Sequence, residues 1–441
     1  MHLFRLLPLS LALGAALCAP AQAQSLLDLV EAARQYDSAL QSAKAQRDAA
    51  ALRADQARAG LLPSAALSSG VTRTNTDISR PAAVRNTTSQ TVGVNATQPL
   101  YRPANRINLD QSQRAIDIAQ AQYDQAHQDL LVRVSQAYFD VLAAQDTLAF
   151  VRAQKAAVSE QLAAAKRNFE VGTSTITDTR EAQARYDLVI AQEIAAENDL
   201  RVKKLALDQT VGQTGTQPQA LGLPVALPSV QPDNVATWVQ TAQDQQAGVR
   251  QAQIALDIAR METRKAQTGH LPTVDLQAGY NITRSPFGTV ITPNLNTRSN
   301  AASVGVALNL PLFAGYAVQN RVKETLVLED KAQADLDTAR RTVAQATRAA
   351  FFGVQSGEGQ VKALEAAEAS SQSALDANKL GYQVGVRINI DVLNAQSQLF
   401  QTKRDLAQAR YNVLLGTLKL RQAAGTLSQD DLQAINALLV R

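Results

Sequence analysis

The stretch GYQVGVRINID at residues 381–391 repeats the pattern of NFEVGTSTITD at residues 168–178, which lies 213 positions earlier. Each stretch has an aromatic residue, a polar residue, Val-Gly and then five residues before an Asp. The Val-Gly pairs interrupt helical segments that contain almost no other glycine, which is typical of a tight turn between two helices. Polar residues that favour helix starts follow each turn: Thr177, Asp178, Asn389 and Asp391. The sequence therefore predicts two helical hairpins of one design.

Further landmarks recur in the same order with nearly the same offset. QAYFDVL at 136–142 matches RAAFFGV at 348–354, and AGLLPSAALSSG at 59–70 matches TGHLPTVDLQAG at 268–279. SQTVGVNATQPLY at 89–101 likewise matches AASVGVALNLPLF at 301–313. Such self-similarity indicates a tandem duplication. We place the first repeat at 24–220, a Pro- and Gln-rich linker at 221–235 and the second repeat at 236–441.

The first 23 residues, MHLFRLLPLSLALGAALCAPAQA, have the features of a secretory signal peptide. Arg5 gives a short basic start, an apolar run follows, and Ala21-Gln22-Ala23 fits a cleavage site. The sole cysteine, Cys18, lies in this segment, so the exported chain is expected to contain no disulfide.

Within each half, the hydrophobic period changes from helical to alternating and back. Residues 26–59 have apolar side chains at helical spacing, and alternating segments follow near 64–75 and 89–98. The polar stretch DISRPAAVRNTTS at 77–89 is expected to be a loop between them. Prolines are predicted to mark the turns between helix and strand: Pro63, Pro99, Pro272 and Pro311. The fold class is therefore mainly α with a small β part.

The lengths of the predicted helices and strands indicate how the chain assembles. A helix from Ala104 to Glu170 would span roughly 100 Å at 1.5 Å per residue and needs coiled-coil or bundle partners. Each strand is long enough to cross a membrane at a tilt. Because barrels begin at about eight strands and lipid tolerates no open sheet edge, four strands per chain predict a barrel shared between subunits. The alternative is a small soluble sheet that caps a helical bundle.

The usual signatures of enzymes are absent from the sequence. No phosphate-binding loop, HExxH, GxSxG or CxxC motif occurs, and the three histidines are scattered. A net charge of +4 with both signs interspersed does not indicate nucleic-acid binding. We expect no enzymatic activity, no cofactor, no metal and no nucleic acid.

At the paired turns the chain strongly resembles the TolC family of outer-membrane channel-tunnels. The resemblance is close in YQVGVRINIDVLNAQSQLFQTKRDLAQARYNVLLGTLKLRQAAGTLSQDDL (382–432) and good in VGTSTITDTREAQARYDLVIAQ (171–192). It implies a homotrimer of tandem-duplicated protomers, in which four transmembrane strands from each chain build a barrel of about twelve. The long coiled helices would form a periplasmic α-helical tunnel.

The resemblance also assigns the turns to the periplasmic entrance of that tunnel. It implies that Thr177 faces Tyr382, that Asp178 pairs with Arg387, and that Asp391 rings the constriction. At the family's second constriction position, this chain has Asn394 in place of Asp. The simpler alternative is that Asp178 and Asp391 only start their helices.

We therefore predict a passive exit duct that spans the outer membrane and extends into the periplasm. A periplasmic adaptor (membrane fusion) protein and an inner-membrane transporter of the RND, ABC or MFS type would dock with it, as would outer-membrane lipid. The sequence leaves open drug efflux, metabolite export and type I protein secretion. The alternative function is a periplasmic coiled-coil scaffold without a pore.

Overall fold

The computed structural model describes residues 24–79, 82–222, 227–292 and 294–440. The predicted signal peptide, with Cys18 and the cleavage site, lies outside these residues. The first half begins with α1 (Leu26–Tyr36), α2 (Ser38–Ala59), β1 (Ser64–Ser79), β2 (Ala82–Tyr101), α3 (Pro103–Glu170) and α4 (Ile176–Val211). The second half has α5 (Val235–Gln245), α6 (Ala247–Gln267), β3 (Thr273–Ser285), β4 (Thr297–Asn309), α7 (Ala317–Gln383), α8 (Asn389–Ala423) and α9 (Gln429–Asn436).

The long helices after each strand pair confirm the prediction from the helical period. Helix α3 has 68 residues and α7 has 67, and both run without a proline beyond their first turn. Within the described residues, no helix is long and apolar enough to cross a membrane.

The predicted single helix over 26–59 is wrong, because Asp37 divides it. Asp37 has extended backbone angles, φ −64° and ψ 115°, and its N–H still bonds to the carbonyl of Ala33 at the end of α1. Its side-chain oxygen accepts a hydrogen bond of 2.7 Å from the N–H of Leu40. Asp37 therefore caps the start of α2, which is a common use of Asp before a helix.

The strands form one antiparallel sheet with the order β1-β2-β3-β4. The predicted loop at 77–89 is largely wrong, because β1 and β2 remain paired from Ser64↔Thr97 to Ser79↔Ala82. Pairing uses backbone hydrogen bonds, so Thr, Asn and Ser side chains extend a strand past its apolar part. Each of the edge strands β1 and β4 pairs on one side only within the described residues.

Strand β2 leads into α3 through an irregular segment. Pro99 does not start the helix as predicted: it lies within β2, the pairing register shifts between Pro99 and Tyr101, and the helix starts at Pro103. Arg102 then reaches Asp275 of β3 with two hydrogen bonds, 2.8 Å from Nε and 2.6 Å from Nη2. This bidentate ion pair holds the junction against the sheet.

The chain divides into two compact units, each built from both halves of the sequence. One unit contains residues 44–122 and 250–339 and includes the sheet. The other contains residues up to 43, 123–249 and from 340, and includes the two helical turns. Its core is centred on Tyr138, Phe139 and Tyr411, with the Phe139 and Tyr411 rings stacked at a centroid distance of 5.8 Å.

In this second unit, the segment 218–221 at the junction of the first repeat and the linker pairs with both ends of the described chain. Gln24 forms a parallel bridge with Pro218, and Leu221 forms an antiparallel bridge with Leu439. The buried Tyr138 hydroxyl donates to the carbonyl of Gln219 at 2.9 Å. Burial raises the pKa of Tyr138, and so this hydroxyl stays a donor at every physiological pH.

Candidate functional site: the paired helical turns

The turn between α3 and α4 is a Schellman motif around Gly172. Gly172 has a positive φ of 79°, its N–H bonds to the Phe169 carbonyl at 3.0 Å, and the N–H of Thr173 bonds to the Asn168 carbonyl at 2.8 Å. Glycine is favoured at this position because a Cβ atom opposes the left-handed conformation.

The turn between α7 and α8 has the same construction. Gly385 has φ 77°, its N–H bonds to the Tyr382 carbonyl at 3.1 Å, and the N–H of Val386 bonds to the Gly381 carbonyl at 2.9 Å. The prediction of two equivalent helix–helix turns at the Val-Gly pairs is confirmed.

Asp178 closes the start of α4 as part of a capping box. Its Oδ2 accepts hydrogen bonds from the N–H and the hydroxyl of Thr175 at 3.0 and 2.9 Å, and its own N–H donates to the Thr175 hydroxyl at 3.2 Å. Thr177 lies exposed in the same first turn. This local arrangement matches the simpler alternative from the sequence analysis, in which Asp178 starts its helix.

Arg387 forms an ion pair inside its own hairpin, where its Nη1 lies 3.6 Å from Oδ2 of Asp391. Arg387 is 59% exposed and Asp391 34%, so this pair contributes little by itself. Among the described residues of one protomer, no ion pair joins Arg387 to Asp178. The pairing of Asp178 with Arg387 that the resemblance implies stays a prediction.

Side-chain amides join the two hairpins close to the turns. The Asn168 amide donates to the Tyr382 hydroxyl at 3.1 Å. Asn389 is 1% exposed, and its amide nitrogen points to the Asp178 carbonyl at 3.4 Å while its oxygen accepts from Gln161. The sequence predicted only that Asn389 starts a helix. It did not identify Asn168 or Gln161 as residues that join the hairpins. Because α3 shows no special pattern at these two positions, only their pairing in space reveals them.

Asn394 is also linked to the other hairpin. Its side-chain oxygen accepts a hydrogen bond of 2.9 Å from Nη2 of Arg185 on α4. Asn394 is exposed and lies one turn after Asp391 on α8. The family resemblance placed Asn394 at the second constriction position. It gave no reason to expect Arg185 beside Asn394.

An apolar layer supports these polar contacts. Leu393 is buried together with α3 and α4 residues: Val151, Val158, Leu162, Ala165, Ala182 and Val189. On the neighbouring face of α8, Val392 and Leu399 pack against Leu375 of α7, with Tyr382 at the edge. Helix α8 therefore packs against the α3–α4 hairpin through Leu393 and against α7 on the neighbouring face.

The tips of the turns expose large apolar side chains. Val386 is 78% exposed, and the other exposed residues at the tips are Val171, Ile176, Val384 and Ile388. Exposed apolar side chains that cluster at one place mark an interaction surface.

Three of the four predicted prolines lie at the boundaries between helices and strands. Pro63 and Pro272 directly precede β1 and β3, and Pro311 follows β4 by two residues. Pro99 is the exception noted above. Within the described residues, no cluster of His, Cys, Asp and Glu could hold a metal ion.

Comparisons with known proteins agree with the geometry. The model of the outer membrane efflux protein family matches residues 29–213 and again 238–426. Outer membrane protein TolC of Vibrio cholerae is 36% identical over 439 residues, which cover 98% of either chain. Proteases secretion protein PrtF of Dickeya chrysanthemi is 31% identical over 95% of this chain and 91% of its own. The fold is similar to that of the outer membrane protein VceC of Vibrio cholerae, with a TM-score of 0.77, 20% identity and coverage of 91% of this chain and 96% of VceC.

Proposed function

The chain belongs to the outer membrane efflux protein family, and from that premise we propose that its paired turns form the periplasmic entrance of an export duct. The protein is an outer-membrane exit duct with a periplasmic helical part. Its role in the family is transport, and we propose that the duct itself is passive and catalyses no reaction.

The observation that carries the proposal is the four-stranded sheet with two unpaired edges. Strands β1 and β4 pair on one side only in the described residues, and their side chains are almost all exposed. In lipid, unpaired backbone groups cost several kcal/mol each, so these edges must find partners. A homotrimer in which β1 of one protomer pairs with β4 of the next closes a barrel of about twelve strands surrounded by outer-membrane lipid.

The entrance would be gated by the residues around the two turns. Asn389 and Tyr382 bond the hairpins within a protomer, while Arg387 and Asp178 face neighbouring protomers. The Asp391 side chains, repeated three times, would lie around the axis and concentrate cations there. Thr177 and Asn394 are the remaining residues that the family resemblance assigns to the entrance.

The exposed apolar tips would receive a periplasmic adaptor protein. Val384, Val386 and Ile388 are exposed on one turn, and Val171 and Ile176 are exposed on the other. An inner-membrane transporter of the RND, ABC or MFS type would supply the energy. The name of PrtF refers to protease secretion, and we propose that this chain serves efflux, type I protein secretion or both.

The test is single-channel recording of the purified full-length protein in planar bilayers. The proposal predicts a stable pore whose resting conductance rises in Asn389→Ala, because that change removes the amide that joins the hairpins. The matched control is Asn378→Ala, since the Asn378 side chain donates within its own helix α7, to the carbonyl of Ala374 at 2.9 Å. A protein that neither inserts into the bilayer nor conducts would instead support the scaffold alternative.

A further inference from the structure

A groove lies between α4 and α8, behind the predicted entrance. Its volume is about 440 Å³, and its walls come from α3, α4 and α8: Gln154, Arg185, Leu188, Val189, Gln192, Asn394, Ser397, Gln398, Gln401 and Arg404. The α4 residues recur at spacings of three and four, and so do those of α8, so each helix presents one face to the groove.

The groove is cationic. Two arginines, Arg185 and Arg404, line it, and none of the described residues in its walls is acidic. No ion pair of the described residues includes either arginine. The remaining polar side chains of the wall are hydroxyl and amide groups.

Neutral acceptors orient both guanidinium groups. Arg185 donates to the amide oxygen of Asn394 at 2.9 Å, and Arg404 donates to the amide oxygen of Gln401. An uncharged acceptor fixes the direction of a guanidinium group without compensating its charge. Both arginines therefore keep donors and charge for a ligand.

We propose that this groove binds small oxyanions, with Arg185 and Arg404 as the charged contacts and the surrounding amides as further donors. Planar guanidinium groups bind carboxylates and phosphates with two parallel hydrogen bonds. The amide groups of Gln154 and Gln398 add neutral donors on two sides. The ligand class is a compound that carries two or more carboxylate or phosphate groups.

The biological role of this groove rests on the proposed function, because Asn394 lines the groove and also lies at the predicted constriction. In an export duct, a cationic groove next to the ring of Asp391 side chains would bind anionic compounds close to the entrance. It would also oppose the preference for cations that Asp391 creates.

The experiment is isothermal titration calorimetry of the full-length, detergent-purified protein at low salt, with pyrophosphate and citrate as separate probes. We expect binding that weakens as salt is added, because partly exposed charges are screened. In the double variant R185Q/R404Q, binding should weaken by about tenfold or more, since both charged guanidinium groups are replaced by neutral amides. Binding of pyrophosphate alone would assign the groove to phosphate groups, and binding of both would assign it to multivalent oxyanions in general.

Two further variants make the result specific. R201Q removes an arginine from the same helix outside the groove and should leave binding unchanged. N394D keeps both arginines and nearly the same shape, but its carboxylate would pair with Arg185, so binding should fall several-fold. The proposal is overturned if neither probe binds, or if R185Q/R404Q, with the wild-type circular dichroism spectrum, binds as the wild type does. Planar-bilayer conductance tests the duct separately: a conducting protein without oxyanion binding refutes only the groove.

Discussion

At the scale of single residues, Asp178 illustrates the difference between a local and a remote partner. The sequence offered a helix start as the simpler role of Asp178, and the structure adds Thr175 as its partner in a capping box. The resemblance pointed instead to Arg387. The structure shows the capping box within the protomer, and it places Arg387 beside Asp391 of its own hairpin.

The two roles of Asp178 lead to different mutant behaviour. Asp178→Ala should destabilise the start of α4 by about 0.5–2 kcal/mol, and Thr175→Ala should do so to a similar degree. If Asp178 also contacts Arg387 of a neighbour, the conductance changes of Asp178→Ala and Arg387→Ser should be less than additive in the double mutant. Thr175→Ala combined with Arg387→Ser serves as the control and should be additive. Additive effects in both pairs would show that Asp178 acts only as a cap.

The Arg185 contact changes what Asn394 implies for ion selectivity. The Asp391 ring should give moderate block of single-channel current by a trivalent cation such as lanthanum. Because Arg185 lies 2.9 Å from the Asn394 oxygen, an aspartate at 394 would be neutralised by that arginine. Asn394→Asp should therefore tighten the block only slightly, and Asn394→Asp combined with Arg185→Gln should tighten it strongly. Asp391→Ala should remove most of the block. Unchanged block in Asp391→Ala would place the constriction elsewhere.

At the scale of elements, the helices were more predictable than the strands. The Val-Gly pairs interrupt the helical sequence clearly, so the ends of α3 and α7 and the starts of α4 and α8 follow from local signals. The lengths of β1 and β2 were underestimated because the outer parts of these strands are rich in Thr, Asn and Ser, a composition that is typical of loops. Their pairing depends on the backbone of the partner strand, and a sequence window does not contain that information.

A polar cluster joins three helices in the unit that contains the sheet. Glu262 of α6 accepts hydrogen bonds from Gln111 of α3 at 2.9 Å and from Arg321 of α7 at 2.8 Å, and it pairs with Lys265 at 2.6 Å. Burial alone would raise the pKa of Glu262, but the hydrogen bonds from Lys265, Gln111 and Arg321 outweigh it and lower the pKa to about 2. The folded state therefore favours the ionised carboxylate.

This pKa predicts a pH-dependent contribution to stability. Because the folded pKa lies below the ordinary value of 4.5, the stabilisation is complete above about pH 4.5 and is lost as the pH falls towards 2. Glu262→Gln should lower the melting temperature in detergent by several degrees at pH 7, and this difference should shrink as the pH approaches 2. The control is Glu324→Gln, since Glu324 also bonds to Arg321 but is 55% exposed and should matter little. A difference that stays constant down to pH 2 would contradict the assignment.

At the scale of the whole molecule, the duplication organises the chain. We propose that the repeats 24–220 and 236–441 descend from one ancestral half, because the order helix, strand pair, long helix, turn and helix occurs twice. The sequence revealed this order through landmarks with a common offset. Among the described residues, no further strand pairs with the outer edges of β1 and β4, and the partner that we propose for them is a second protomer.

The number of strands per protomer decides whether the barrel can form. Removing residues 273–309, which include β3 and β4, leaves two strands per chain and six in a trimer, fewer than the roughly eight that barrels require. We expect this variant to stay out of the outer membrane while keeping most of its helical circular dichroism signal. Membrane fractionation, circular dichroism and planar-bilayer conductance measure the three properties. As the control, removing only residues 287–295 shortens the connection between β3 and β4 and should leave insertion intact. Normal insertion and conductance after removal of 273–309 would mean that these strands do not build the barrel wall.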